Sequence, residues 1–158
     1  MKKKMAIITA FIIAASAPMA VKAAEHDHGS THSGHGSQMA QMGKVVHQQV
    51  VDGVKVTFRL IDMQEQMKGM EIPKGMKETH HLMANFADDK TGKPLTEGEV
   101  KAKVAGPDKS EQTKALMGME GHFGADFIMA NKGRYGVMCK FKVKDGKIRS
   151  SKFWYVMK

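Results

Sequence analysis

Cysteine is nearly missing. The 158-residue chain has one, Cys139, so no disulfide framework can hold it, although an exported protein meets conditions in which paired cysteines become disulfides. Stability has to come from a core, and about 115 residues from Lys44 onward suffice to build one. Leucine is scarce: Leu60, Leu82, Leu95 and Leu116 are the only four, against 15 methionines. Leucine is normally among the commonest residues. Aromatics are 6% of the chain, and the 25 basic residues are mostly lysine spread through strand-like segments. A nucleic-acid surface favours clustered arginine with aromatics, so none is expected. The positive charge reads as a solvated exterior, with a weak attraction to anionic membranes left open. Also missing are H-E-x-x-H, G-x-S-x-G and a phosphate-cradling glycine loop. Asp88 and Asp89 share a turn and do not face each other across a cleft, so no enzyme is expected.

The longest apolar run, Met5 to Ala17, is short of the about 20 residues a membrane span needs. With three lysines before it and small residues after it, "MKKKMAIITAFIIAASAPMAVKA" has the layout of a secretory signal peptide cut after Ala23. Export to the periplasm is expected, with no stable membrane insertion after cleavage. No Cys stands near the cut, so no lipid anchor is expected. Loss of residues 1–23 removes Lys2, Lys3, Lys4 and Lys22 and no acid, and lowers the formal charge from +9 to +5. Residues 24–43, rich in Gly, Ser and His, cannot bury enough apolar surface to fold and read as a disordered tail.

From Lys44 to Lys158 the pattern has period two. "VVHQQVV" and "VKVTFRLID" flank Asp52-Gly53, a hairpin signal. Val54, Val56, Phe58 and Leu60 share one face of the second segment. Residues 63–78 carry Gly69, Pro73 and Gly75 and read as a loop with one helical turn at its start. "THHLMANFADD" places Leu82, Ala84 and Phe86 inside, "GEVKAKVAG" Val100, Ala102 and Val104, and "RYGVMCKFKV" Tyr135, Val137, Cys139, Phe141 and Val143. "QTKALMGM" and "HFGADFIM" form two strands around Glu120-Gly121, and Asp145-Gly146 turns into a last strand, "KIRSSKFWYVM". About eight short strands and no long helix predict an all-β antiparallel sandwich.

The "TGKP" turn and the "EVKAKV", "GHFGADF" and "KGRYGV" strands lie within roughly residues 80–145. This stretch resembles the YtkA-like immunoglobulin-like domains and their relatives, the CopC-type copper-resistance proteins. The resemblance implies an extracytoplasmic immunoglobulin-like sandwich of about seven to eight strands, and copper binding. The tail and the 63–78 loop are this chain's own.

Three segments carry metal-ligand chemistry. The tail holds His26, His28, His32 and His35, imidazoles able to take Cu(II), nickel or zinc. In "THHLM", His81 and Met83 share a strand face about 7 Å apart, opposite Leu82 and Ala84. His80 belongs to the inner face, where a rim histidine with one hydrogen bond is the favoured reading over a ligand. In "LMGMEGH", Met117 and Met119 share a face and His122 follows a turn. Thioether sulfur is a soft ligand suited to Cu(I); the alternative is that both methionines are core on a strand lacking leucine. Met63, Met67 and Met70 have helical spacing, more often packing than ligation, while Met70 and Met76 ride a loop able to cap a site near His80 and His81. If His81, Met83, Met117, Met119 and His122 converge, one pole of the sandwich becomes a His/Met patch. Cys139 reads as a buried thiol and Trp154 as packing for the last strand.

The sequence thus reads as a periplasmic metal-binding protein for copper buffering, transport or resistance. Its partners are a metal ion and an envelope protein that exchanges it. The alternative is a non-catalytic interaction module of an envelope or efflux complex, its tail a nonspecific nickel, zinc and copper sink. A cut after Ala23 leaves Ala24-Glu25-His26 at the N-terminus. A free amine, two deprotonated amides and the third-position imidazole then surround Cu(II) or Ni(II) in a square plane. Mass spectrometry of the exported protein is expected to show Ala24 as the first residue; any other first residue removes this site.

Overall fold

A computed structural model describes residues 42–119 and 121–158. The leader 1–23 and the tail histidines His26, His28, His32 and His35 lie outside the described residues. The strands, in chain order, are β1 (Lys44–Val51), β2 (Val54–Asp62), β3 (His80–Asp88), β4 (Gly98–Ala105), β5 (Glu111–Met119), β6 (His122–Phe127), β7 (Gly133–Val143) and β8 (Ile148–Met157). One helical turn, α1 (Met63–Gln66), follows β2 and is capped by Asp62, whose carboxylate accepts from the amides of Gln64 and Glu65. Beyond α1 the 63–78 stretch is turn and coil, as its glycines and proline demand. Among the described residues no helix is long and apolar enough to cross a membrane.

All pairings are antiparallel, in the order β1-β2-β3-β6-β5-β4-β7-β8. Strand β5 joins the two layers. Its Glu111–Leu116 stretch pairs with β4, and Met117–Met119 pairs with β6. One sheet is therefore β1-β2-β3-β6 with the end of β5, and the other is the start of β5 with β4-β7-β8. This is an immunoglobulin-like antiparallel sandwich. The β1–β2 turn fits its residues, since Asp52 and Gly53 both have positive φ, 46° and 76°, as a tight hairpin matching strand twist requires.

The alternation read from the sequence is the burial pattern. Val54, Val56, Phe58 and Leu60 face Leu82, Ala84, Phe86, Phe123 and Phe127 of the same sheet, and Val100, Ala102, Val104, Tyr135, Val137, Cys139, Phe141, Val143 and Phe153 of the other. Removing a ring from such a core typically costs about 3–5 kcal/mol. Cys139 is fully buried and its thiol is pushed up to about 12 by desolvation, so it is not a thiolate at neutral pH. Trp154 packs the last strand against its neighbour, over Gly136, from the outside of the sheet. Phe153 packs inward and Trp154, next along the strand, stands 62% exposed on the outer face. His47, in the bulged part of β1, stacks on Phe153 with centroids 4.7 Å apart and closes the β1–β8 side.

The same side is tied by a buried cation. The Arg149 side chain, 3% exposed, donates to both carboxylate oxygens of Asp145 at 2.9 and 2.5 Å and to the Asp52 carbonyl at 3.1 Å. It thereby anchors the β7–β8 turn to the β1–β2 turn. The Arg149 hydrogen bond holds the Asp145 carboxyl down to about 2, from an ordinary 3.8. A depressed carboxyl stabilises the fold fully above its unfolded value, and that stabilisation is lost as pH falls through the folded one. Asp145→Asn is therefore expected to lower the melting temperature at pH 6, with the gap to the parent shrinking below pH 4 and closing near pH 2. Thermal melts of both proteins across that range check it.

Candidate metal centre

Strand alternation fixes which side chains can meet. In β6 Phe123 and Phe127 face the core, so His122, Gly124 and Asp126 face outward. In β3 Leu82 and Ala84 are core, so His81 and Met83 face outward beside them. In β5 Leu116 is core, and Met117 and Met119 face outward. Register then places these residues in rows across three strands. Met83 lies opposite Gly124, and Gly124 opposite Met117. His81 lies opposite Asp126, and His122 opposite Met119. Directly paired residues sit about 4.5–5.5 Å apart, so His81, Met83, Met117, Met119 and His122 gather on one patch of the β3-β6-β5 face. The register thus sets these five residues on neighbouring strands of one face, beside the β5–β6 turn and at the seam where β5 changes layers.

Gly124 is the centre of this patch. A methyl group there would collide with the His81 imidazole edge, Nε2 first. Without one, the bare backbone floors a bowl into which the His81 ring leans. Asp126 fixes that ring: its carboxylate oxygen lies 2.5 Å from His81 Nδ1. With Nδ1 turned to Asp126, it is the Nε2 edge of the ring that is directed over Gly124. A carboxylate holding the far nitrogen of a metal-binding histidine is the usual support for such a ligand. The His81 and His122 rings are 6.2 Å apart and nearly perpendicular. With metal–imidazole bonds of about 2 Å, this spacing is at the upper limit for two rings sharing an ion, which would have to sit almost in line between them.

The methionines divide into two kinds. Met83 points outward yet is 1% exposed, while Met117 and Met119 are 71% and 46% exposed. This removes the reading of Met117 and Met119 as core. Thioethers left in water at the rim of an imidazole pair are available to a soft ion. Among the described residues no three His, Cys, Asp or Glu side chains come together, so the patch reaches a useful donor number only through sulfur. Imidazole with thioether is a soft donor set.

The remaining candidates lie elsewhere. His80, next to His81, faces inward at the rim, 2.8 Å from Thr79 Oγ1 through Nδ1, and desolvation lowers its pKa. It is the hydrogen-bonded rim histidine and points away from the bowl. Met70 is exposed and Met76 half-buried on the 63–78 connection, and neither stands in the paired rows. The sequence reading passed over Gly124 and Asp126, although "HFGAD" places His, Gly and Asp at period two on one face of a strand.

Solved structures share this fold. A copper-bound variant of FetP from uropathogenic Escherichia coli superposes with TM-score 0.50 at 14% identity, over 71% of this chain and 90% of that one. Copper-reconstituted P19 from Campylobacter jejuni gives 0.54 at 13% identity, over 73% and 95%. A DUF4426-family protein of Pseudomonas aeruginosa gives 0.52 at 12% identity, over 70% and 96%. No protein-family profile and no curated protein matches the chain. The resemblance noted on the sequence holds at the level of fold.

Because the bowl has no room for a side chain at its centre, Gly124→Ala is expected to displace the His81 ring and break its bond to Asp126. The cost is about 1–3 kcal/mol, the usual penalty for overpacking. Denaturant unfolding measures it, and an unchanged midpoint would show that the ring does not rest on Gly124.

Proposed function

We propose that this is an exported copper-binding protein, a buffer or carrier, whose cargo is Cu(I) held in the bowl over Gly124. The observation that carries the reading is the paired register that gathers two imidazoles and three thioethers around a residue with no side chain. That FetP and P19, which share the fold, are copper-bound proteins supports it. His81, oriented by Asp126, and the shielded Met83 and His122 hold the ion. Met117 and Met119, exposed at the end of β5, are the ligands that come on last and leave first. A partner's donors can replace them one at a time, so the ion passes over without being released to water. In the same proposal the leader 1–23 directs export, and His26, His28, His32 and His35 collect Cu(II) at lower selectivity. No bond is made or broken in the cargo's delivery other than metal–ligand bonds, so no turnover chemistry is needed.

Anaerobic competition against a coloured Cu(I) chelator tests this. The chain is expected to bind Cu(I), and the paired change Met117→Leu with Met119→Leu to weaken it at least tenfold. Both residues are exposed, so the melting temperature should stay within about 2 °C. Asp126→Asn, which removes the support and not a ligand, is expected to cost about 10–100-fold. Replacing all four tail histidines by Asn should leave Cu(I) affinity unchanged and lower Cu(II) uptake. Unchanged Cu(I) affinity in the methionine variant, or its loss with the tail histidines, would overturn the assignment to the bowl.

A further inference from the structure

The outer face of the other sheet carries a second surface, independent of the copper reading. With Val100, Ala102 and Val104 inside, β4 turns Lys101 and Lys103 outward; β7 turns Arg134, Met138, Lys140 and Lys142 outward; β8 turns Ile148, Ser150, Lys152, Trp154 and Val156 outward. Six cations thus share one face. Two have partners: Lys103 pairs with Glu111 at 2.7 Å and Lys142 with Glu99 at 2.9 Å. Lys101 lies directly opposite Lys140 in the β4–β7 register, and both are exposed. Like charges facing each other across strands are destabilising, so folding alone does not account for the pair. Beside them Trp154 lies over Gly136, where an added methyl would come within 2.8 Å of the ring, and the Arg134 guanidinium sits 4.1 Å from the ring centroid. The indole keeps 62% of its surface in water, and Ile148 and Val156 on the same strand are 77% and 58% exposed.

We propose that this face docks on an anionic phospholipid bilayer. A second copy of the chain is disfavoured, since the face would meet its own positive charge. An acidic peptide needs local, directed pairing, for which arginine forks are better suited than hydrated lysine point charges. A diffuse anionic surface needs only that the lysines lie together on one side, and each one near such a surface strengthens attachment. Trp154, with apolar Ile148 and Val156 along the same strand, is the amphipathic component that settles at the headgroup boundary. The attachment is peripheral: no element here enters the hydrocarbon.

Trp154 is the chain's one tryptophan, so its emission reports this face alone. The purified chain is mixed with vesicles of equal parts phosphatidylglycerol and phosphatidylcholine, or of phosphatidylcholine alone, and sedimented. Binding is expected to the anionic vesicles only, with a blue shift of the Trp154 emission, and to fall in about 0.5 M salt, where screening becomes short-ranged. Lys101→Gln with Lys140→Gln is expected to weaken partitioning about 20–30-fold while leaving the melting temperature equal or higher, because a like-charge pair is removed. Lys55→Gln, exposed on the opposite sheet, should change binding less than about twofold. Failure to bind the anionic vesicles, an unshifted Trp154 spectrum on binding, or an equal loss with Lys55→Gln would each overturn the proposal. Binding of polyglutamate without vesicle binding would overturn it in favour of an acidic protein partner.

Discussion

A β-strand offers each side chain only two directions, and in this chain the inward one is filled by Val, Phe, Ala and Leu. That single constraint organises the molecule. Once Leu82, Ala84, Leu116, Phe123 and Phe127 are committed to the core, the neighbours between them have to face out. Those neighbours are the histidines and methionines of β3, β5 and β6. The patch is therefore a by-product of packing order, assembled without a dedicated loop, and it inherits the rigidity of three paired strands. Sites built on strands hold their ligands more closely than sites on loops.

Rigidity is not enough without space, and the space is made by one omission. Gly124 sits where Met83 and Met117 flank it across the ladder. Any other residue would fill the middle of the patch and push His81 off Asp126. Glycine inside a strand weakens the strand and often marks a close approach of another group; here that group is an imidazole ring. Stability is given up locally so that the His81 ring can lie over the strand between Met83 and Met117. Asp126 adds direction, because its contact with Nδ1 fixes the ring so that the Nε2 edge lies over Gly124.

Periodicity made the fold legible. Asp52-Gly53, Asp145-Gly146 and the alternating apolar positions specify hairpins and inward faces from local sequence, and they appear where they were read. The placement of His81 and Met83 opposite Leu82 followed from the same rule. Two things were not legible. The pairing of Met83 and Met117 through Gly124 depends on β3, β6 and β5 being neighbours, an order set by long-range packing with no local signal. The same holds for the opposition of Lys101 and Lys140, 39 residues apart along the chain, which looked like scattered charge until the sheet was formed. Parity with Phe153 sends Trp154 outward, where it packs over Gly136 from the solvent side.

Under the proposed copper-carrying role, the exposure of the sulfurs bears on how tightly an ion would be held. A site sealed in the core would bind strongly and release slowly, since affinity differences reside mainly in dissociation. Here Met83 and the two rings are shielded while Met117 and Met119 stand in water at the end of β5. In the proposed role the inner donors would set affinity, and the outer pair would give an incoming ligand somewhere to attack. The basic face lies on the other sheet, with the core between them. A protein resting on a lipid surface through Trp154 and its lysines would therefore present the sulfur rim away from that surface, toward whatever takes the metal. Attachment and exchange then make no competing demands on the same side chains, and each face can be altered without disturbing the other.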